Sequence, residues 1–218
     1  MSHAGAYLVA KGEPADDLNV FAARRGNWEA MVRGLYDNSN VINLLGADIP
    51  AGQARHMPST EVAPIWETAR RYQAEGVETI IIAGERYGTG SSRDWAAKGV
   101  SLMGVRAVLA RSFERIHRTN LIGMGVLPIC IAALQSQLMP EDIFEIDAEE
   151  LAPRKPIVVR IFRADGTVLP LPGTMAIETE LECRTLEAGG MIPLILSRFV
   201  PQNRDRRLSP NWRRPRIV

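Results

Sequence analysis

Two hydroxyl groups and a guanidinium stand side by side at Ser91–Arg93, directly after a stretch dense in glycine. Thr79–Ala83 precedes them, and this short run rich in isoleucine predicts a buried strand because branched side chains pack well on a pleated surface. Trp95–Lys98 follows and favours a helix, which we expect Gly99 to end. The order of these segments predicts a strand, a glycine turn and a helix.

The start of that helix would suit an anion, because a first helical turn presents unpaired backbone N–H groups and the positive end of the helix dipole. Arg93 adds a planar fork that fits a carboxylate or a phosphate, and Ser91 and Ser92 can donate hydrogen bonds or take part in chemistry. Serines before a helix also act as simple caps, so the local pattern leaves both roles open. A Walker A loop is excluded, since the turn lacks the Gly-Lys-Ser/Thr ending.

Strand and helix patterns continue after this turn. Arg106–Ala110 predicts a second strand, Phe113–Ile122 a second helix, and Val126–Ile131 a third strand. His117 lies in the second helix, where an imidazole could act as a general base. Its setting in SFERIHRTN favours packing or orientation of the backbone instead.

The second half of the chain is predicted to be rich in strands and to end in a helix over Met191–Phe199. Asp165-Gly166 marks a hairpin turn between two of the strands. The predicted strands cover Phe144–Ile146, Ile157–Phe162, Val168–Leu171 and a continuation over Met175–Cys183.

The first 76 residues show weaker patterns. Trp28–Leu35 and Glu61–Glu75 predict helices, and in the second of these Gly76 provides the stop. Asn38–Pro58 reads as a loop anchored by its apolar side chains, which are Leu44, Leu45 and Ile49. We expect one domain over residues 1–200, followed by an irregular basic tail over residues 201–218.

Composition and charge narrow the possible classes. The chain has 218 residues with 46% hydrophobic and 23% charged side chains, and no apolar run long enough to span a bilayer, so we expect a cytoplasmic globular protein. Cys130 and Cys183 lack metal-ligand spacing, and we expect neither a metal site nor a disulfide. The net charge is +1, yet the tail holds six arginines against one aspartate, which leaves the body acidic. The tail could contact nucleic acid, whereas the acidic body opposes such a role.

The string GERYGTGSSRDWAAKG, with ARSFERIHRTNLIGMGVLPI after it, closely resembles the C-terminal swivel domain of the aconitase family. The resemblance is to the branch that contains bacterial aconitase A, cytosolic aconitase and iron–sulfur 2-methylcitrate dehydratase. It extends weakly over residues 2–200 and implies a three-layer β/β/α swivel fold of the α/β class. The segment FAARRGN resembles the family's Arg-Arg-Gly-Asn phrase, and we interpret Arg24, Arg25 and Arg33 as structural or interface residues.

The resemblance also implies roles for individual residues. Ser91 would be the general base that removes a proton next to a carboxylate, and Ser92 and Arg93 would bind the substrate carboxylate. The segment SHAGAYLVAKGE resembles a family stretch that ends in Arg-Gly, and that arginine contacts a substrate carboxylate. Lys11 stands in its place here, and a lysine offers a point charge instead of a fork.

Family members dehydrate and rehydrate a tricarboxylic acid on a [4Fe–4S] cluster held by three cysteines. This chain has two cysteines in total, so the resemblance implies no cofactor on this chain. It implies a cluster on a partner, which would be a large subunit or N-terminal domains. The sequence leaves citrate and 2-methylcitrate open as substrates.

Two alternative functions also remain open at this point. One is RNA binding, as in cytosolic relatives that have lost the cluster, and the arginine-rich tail favours it. The other is a non-catalytic anion-binding module, which would keep the glycine turn without a partner.

Overall fold

The structure is a computed structural model that describes residues 1–90, 93–132, 138–199 and 216–217. The chain divides into two compact units, an N-terminal unit over Met1–Gly76 and a C-terminal unit over Val77–Val218. Within the described ranges, no helix is both long and apolar enough to cross a membrane. Most of the predicted basic tail lies outside these ranges.

The N-terminal unit contains three α-helices, one 3-10 turn and a two-stranded antiparallel sheet. The side chains of Ser2 and Asn27 cap the first two helices by accepting hydrogen bonds from Gly5 N and Ala30 N, at 3.1 Å each. The elements are α1 (His3–Ala10), the 3-10 turn (Phe21–Arg24), α2 (Trp28–Gly34), β1 (Gln53–Arg55), β2 (Val62–Pro64) and α3 (Ile65–Ala74).

Two predictions for this unit need correction. The helix predicted from Glu61 begins at Ile65, because Val62–Pro64 pairs with β1 as a strand. The loop prediction for Asn38–Pro58 was wrong about its end, which contains β1, and about two of its anchors. The exposed fractions of Leu44 and Leu45 are 92% and 38%, and of the three anchors only Ile49 is buried. Leucine on a short polar turn carries no periodicity that would tell an outward from an inward side chain.

The C-terminal unit is built on a seven-stranded mixed sheet, in the order β3-β4-β5-β8-β7-β6-β9. The first three strands in that order are parallel, and all the other neighbouring pairs are antiparallel. The predicted mixed α/β fold is confirmed. The strands are β3 (Thr79–Ala83), β4 (Val105–Ala110), β5 (Leu127–Cys130), β6 (Ile143–Ile146), β7 (Pro156–Phe162), β8 (Val168–Met175) and β9 (Arg216–Ile217).

Among the described residues of this unit, four helices accompany the sheet. They are α4 (Arg93–Leu102), α5 (Arg115–Gly123), α6 (Glu180–Glu187) and α7 (Met191–Leu196). Because α4 and α5 connect parallel strands, they form two consecutive strand–helix–strand units. The hairpin predicted at Asp165-Gly166 is confirmed: the Arg163 N–H donates to the Thr167 carbonyl at 2.9 Å across the turn.

Several element ends differ from the sequence prediction, and two of the differences have a clear physical reason. The first helix of this unit continues through Gly99 to Leu102, because Val100 and Met103 are buried and that burial outweighs the low helix propensity of glycine. The strand predicted to run from Met175 to Cys183 ends at Met175. The Thr179 hydroxyl then accepts a hydrogen bond from Glu182 N at 3.2 Å and begins α6.

The core of the C-terminal unit lies between the sheet and its helices. Its largest fully buried side chains come from the central strands and from α5 and α6, and burying each one contributes about 1.5–3 kcal/mol. They include Leu109, Leu127, Ile129, Ile146, Met175 and Leu186. This core fixes the positions of β3, β4 and β5, and therefore of the loops at their carboxyl ends.

Candidate active site

The carboxyl ends of β3 and β4 lie at the same edge of the sheet, where ligands commonly bind in α/β folds. The glycine turn, which we define as Gly84–Gly90, follows β3, and the segment Arg111–Glu114 follows β4. Three backbone hydrogen bonds join them: Arg111 N donates to Gly84 O at 3.0 Å, Tyr87 N to Ser112 O at 2.9 Å, and Glu114 N to Tyr87 O at 2.9 Å. The turn is therefore tied to the neighbouring strand end.

Gly88 is a position that no other residue could occupy without rearrangement. Its φ of +91° lies in the left-handed region, and a Cβ there would lie 2.1 Å from the ring of His117. The imidazole of His117 is 1% exposed and also contacts the ring of Tyr87, with 5.1 Å between the ring centroids. The ring therefore packs under the glycine turn, as the sequence predicted for His117.

Ser91 and Ser92 lie outside the described residues. Arg93 is the first residue of α4, and Ser91 and Ser92 separate it from the glycine turn in the sequence. The predicted succession of strand, glycine turn and helix is confirmed for the backbone on both sides of the two serines. The roles of Ser91, Ser92 and Arg93 stay predictions.

Lys11 belongs to the N-terminal unit and ends α1, where its backbone N–H donates to the carbonyls of Tyr7 and Leu8 at 3.1 and 3.0 Å. The φ of Gly12, the next residue, is +97°, so the chain turns away from the helix axis there. The Lys11 side chain is exposed, and its Nζ lies 5.7 Å from the centroid of the Tyr7 ring.

The surroundings of Arg33 were not predicted from the sequence. Its guanidinium carbon lies 4.1 Å from the ring centroid of Tyr7 and 4.6 Å from that of Trp66. The Tyr7 hydroxyl donates to the Glu29 carboxylate, and this hydrogen bond raises the pKa of Tyr7 and lowers the pKa of Glu29. Glu29 and Arg33 are four residues apart, and this spacing indicates that both lie on the same face of a helix. The rings come from α1 and α3, which no local pattern links to α2.

Arg118 on α5 was also missed, and it forms a buried ionic cluster with the start of α6. Its guanidinium donates to both carboxylate oxygens of Glu182 at 2.8 and 3.0 Å, to Glu178 at 3.2 Å and to the Ala176 carbonyl at 2.8 Å. Burial by itself raises the pKa of Glu182. The hydrogen bonds from the Arg118 side chain and from the Glu178 backbone N–H lower it by more, so the pKa of Glu182 lies below its ordinary value. Both terminal nitrogens of this guanidinium therefore have partners within the fold.

The family model for the aconitase C-terminal domain matches residues 4–134, more than half of the chain. This chain belongs to that family. Aconitate hydratase A of Thermus thermophilus is 42% identical over 200 residues, which make up 89% of this chain and 22% of that protein. Phosphinomethylmalate isomerase of Streptomyces viridochromogenes is 40% identical over 197 residues, again 89% of this chain and 22% of that protein.

The solved structure of 3-isopropylmalate dehydratase from Methanocaldococcus jannaschii matches with a TM-score of 0.39 and 24% identity, covering 69% of this chain and 87% of that chain. The family resemblance drawn from the glycine turn is confirmed by the family match. This aconitase domain spans about a fifth of the length of the curated relatives that it matches.

The residues of this aconitase domain do not fit an iron–sulfur cluster. Such a cluster needs three thiolates at one point, and the full sequence has two cysteines. Both are free thiols, and burial raises the pKa of Cys130 and of Cys183, which disfavours the thiolate form. Within the described part of the chain, no group of three His, Cys, Asp or Glu side chains could hold a metal ion.

Proposed function

We propose that this chain is the swivel-domain half of an aconitase-type hydro-lyase. It would supply the serine base and the carboxylate-binding residues for the reversible dehydration and hydration of citrate and isocitrate through cis-aconitate. The observation that carries the proposal is the strand, glycine turn and helix around Ser91–Arg93, in a chain 42% identical to an aconitate hydratase. The hydrogen bonds between the glycine turn and the end of β4 would hold that turn rigid for catalysis.

The proposed chemistry is the elimination of water from a tricarboxylate. Ser91, acting as an alkoxide, takes the proton from the carbon next to a carboxylate, and the electron pair of that C–H bond becomes the C=C bond as hydroxide leaves the neighbouring carbon. Ser92 and Arg93 bind a substrate carboxylate, and Lys11 contributes a second positive contact. A serine hydroxyl is a weak base, so the role requires the N–H groups and positive charge at the start of α4 to lower its pKa.

We propose that the partner is a cluster-bearing large subunit or a set of N-terminal domains. Relatives are about five times as long as the matched region, and the thiolates for a [4Fe–4S] cluster would come from that additional length. The partner would also form part of the pocket for the substrate's side group, so it would decide between citrate and 2-methylcitrate.

The test is the Ser91→Ala variant of the enzyme assembled with its partner. Removing only the proton-transfer group should lower kcat by about 10²- to 10⁴-fold and leave KM nearly unchanged. Ser197→Ala is the matched control, because its hydroxyl donates to the Leu194 carbonyl on α7 and should not matter for turnover. Near-normal kcat in Ser91→Ala would show that the base is another group.

A further inference from the structure

A buried histidine packs against the glycine turn, and the proposed reaction gives it no part so far. His117 is the third residue of α5 and is 1% exposed. In the sequence, the turn that it supports leads after Gly90 into Ser91–Arg93, the residues proposed to remove the proton and bind the carboxylate. A group that fixes the turn therefore bears on where those residues lie.

The backbone of Gly88 and the ring of His117 leave no room between them. An added Cβ at Gly88 would lie 2.1 Å from both Cγ and Cδ2 of the imidazole, far inside van der Waals contact. The glycine lets the turn settle directly onto the ring. The size of the ring therefore sets how closely the turn approaches α5.

Two further rings extend this contact. The ring of Tyr87 meets the imidazole of His117 edge to face, with 5.1 Å between the centroids and an angle of 68° between the planes. Phe113 meets Tyr87 in the same manner, at 6.2 Å and 90°. Edge-to-face pairs stabilise beyond the area that they bury. The row of rings runs from the segment after β4, through the glycine turn, to α5.

The start of α5, which carries the histidine, is fixed to the same turn. The Glu114 carboxylate accepts hydrogen bonds from Ile116 N and His117 N, at 2.9 and 3.0 Å, and so caps the helix. The backbone N–H of Glu114 donates to the Tyr87 carbonyl at 2.9 Å. One residue thus holds both the helix that bears the ring and the turn that rests on it.

We propose that His117 is a positioning residue for the proposed reaction, whose ring sets the place of the glycine turn and through it the place of Ser91–Arg93. The proposal rests on the proposed function for the reaction. A displacement of about 1 Å at a reacting group can lower a rate about 10²-fold, so a support of this kind affects turnover without touching the substrate. The ring acts here by its shape, and the general base of the reaction stays Ser91.

The kinetic experiment uses His117→Ala in the enzyme assembled with its partner. The base and the carboxylate-binding residues both follow the turn, so we expect kcat to fall about tenfold or more and KM to rise about threefold or more. His117→Phe keeps a ring between Tyr87 and Gly88, and both of its constants should lie between those of wild type and of His117→Ala.

Leu121→Ala is the matched control, because Leu121 lies one helical turn beyond His117 on α5 and is 0% exposed. Its loss creates a cavity in the core, and melting temperatures of both alanine variants compare their stability. Lower stability reduces the amount of folded enzyme, which lowers the apparent kcat and leaves KM at the wild-type value. A rise in KM therefore separates a positioning role from a purely structural one.

Gly88→Ala tests the same contact from the side of the turn and leaves the core of α5 intact. The added methyl group would push the turn away from His117, so kcat should fall and KM should rise as in His117→Ala. Gly76→Ala is its control: the φ of Gly76 is +71°, and an added Cβ there would meet nothing within 4 Å. It carries the backbone strain without the collision, and its KM should equal that of wild type.

Hydrogen exchange in the purified full chain tests the support without turnover. The amides of Tyr87 and Glu114 report the hydrogen bonds of the turn, and the amide of Leu109, buried in β4, reports opening of the whole unit. The exchange rates of the first two relative to the third should rise about tenfold or more in His117→Ala and stay within about threefold in Leu121→Ala.

Two results would overturn the proposal: unchanged relative exchange rates in His117→Ala, or a KM at the wild-type value in both His117→Ala and Gly88→Ala. The exchange measurement needs neither Ser91 nor a partner. Failure of the support is therefore distinguishable from failure of the proposed function, which the turnover of Ser91→Ala decides.

Discussion

The clusters around Arg118 and Arg33 show two different uses of a half-buried or buried arginine. Arg118 gives its donors to Glu178, Glu182 and a backbone carbonyl, and its side chain is 10% exposed. Arg33 has rings on its faces and no carboxylate on its fork within the described residues. The first arrangement fastens α5 to α6, and the second packs a guanidinium of α2 against rings of α1 and α3. The difference teaches that a fold can hold a guanidinium either through its N–H groups or through its two faces.

The largest expected difference between the two clusters is in folding stability. Arg118→Met leaves the Glu182 carboxylate nearly buried without its cation, and should lower the free energy of unfolding by about 3–5 kcal/mol. Arg33→Met loses two cation–π contacts, each worth about 0.5–1 kcal/mol, and should cost less than half as much. Urea unfolding of both variants measures this. Equal losses would mean that Arg33 is as structural as Arg118.

A smaller effect should appear in acid. The pKa of Glu182 is below its ordinary value of 4.5 in the folded state, so its contribution to stability is present above that value and is lost as the pH falls through the folded pKa. Below about pH 4.5, Glu182→Gln should therefore show a flatter fall of stability with pH than wild type. Glu29→Gln is the comparison, and it should keep most of the wild-type slope because solvent screens the Glu29 carboxyl. Unfolding curves at a series of pH values decide this. Two identical slopes for Glu182→Gln and wild type would contradict the role of the Arg118 cluster.

The smallest effect concerns Tyr7. The hydrogen bond to Glu29 raises the pKa of Tyr7 above its ordinary value of 10.0, and Glu29→Gln should bring it back toward that value. Because the ring and not the hydroxyl contacts Arg33, Tyr7→Leu should lower the free energy of unfolding by about 0.5–1 kcal/mol more than Tyr7→Phe does. A resolved aromatic signal of Tyr7 followed against pH gives the first result, and urea unfolding of the two Tyr7 variants gives the second. Equal stability of both Tyr7 variants would show that the contact between the ring and Arg33 does not stabilise the fold.

Periodicity and glycine spacing were enough to predict the parallel half of the sheet. The strand predicted over Thr79–Ala83 is β3, and the predicted and observed ends agree. A short run of branched apolar residues that ends in a glycine turn is typical of a buried strand. The strand prediction failed after Met175, where Thr179 begins a helix with residues that are also found in strands. Local pattern could not decide there, since packing against α5 through Arg118 fixes the start of α6.

The residues of the candidate site were likewise predicted only where neighbouring residues form a motif. Ser91, Ser92, Arg93 and Lys11 were found from a motif, which is a property of neighbouring residues. The surroundings of Arg33 depend on Tyr7 and Trp66, which lie 26 and 33 positions away in the sequence and come from two other helices. No sequence pattern reports a contact of that kind, so only the structure could show it.

The most direct test of the central claim combines the purified chain with the cluster-bearing N-terminal portion of a bacterial aconitate hydratase A that lacks its own C-terminal domain. Hydration of cis-aconitate is followed for the mixture and for each component after anaerobic treatment with iron and sulfide. We expect activity in the mixture alone, and a colourless, inactive chain by itself. A brown protein with hydratase activity from this chain without a partner would contradict the account.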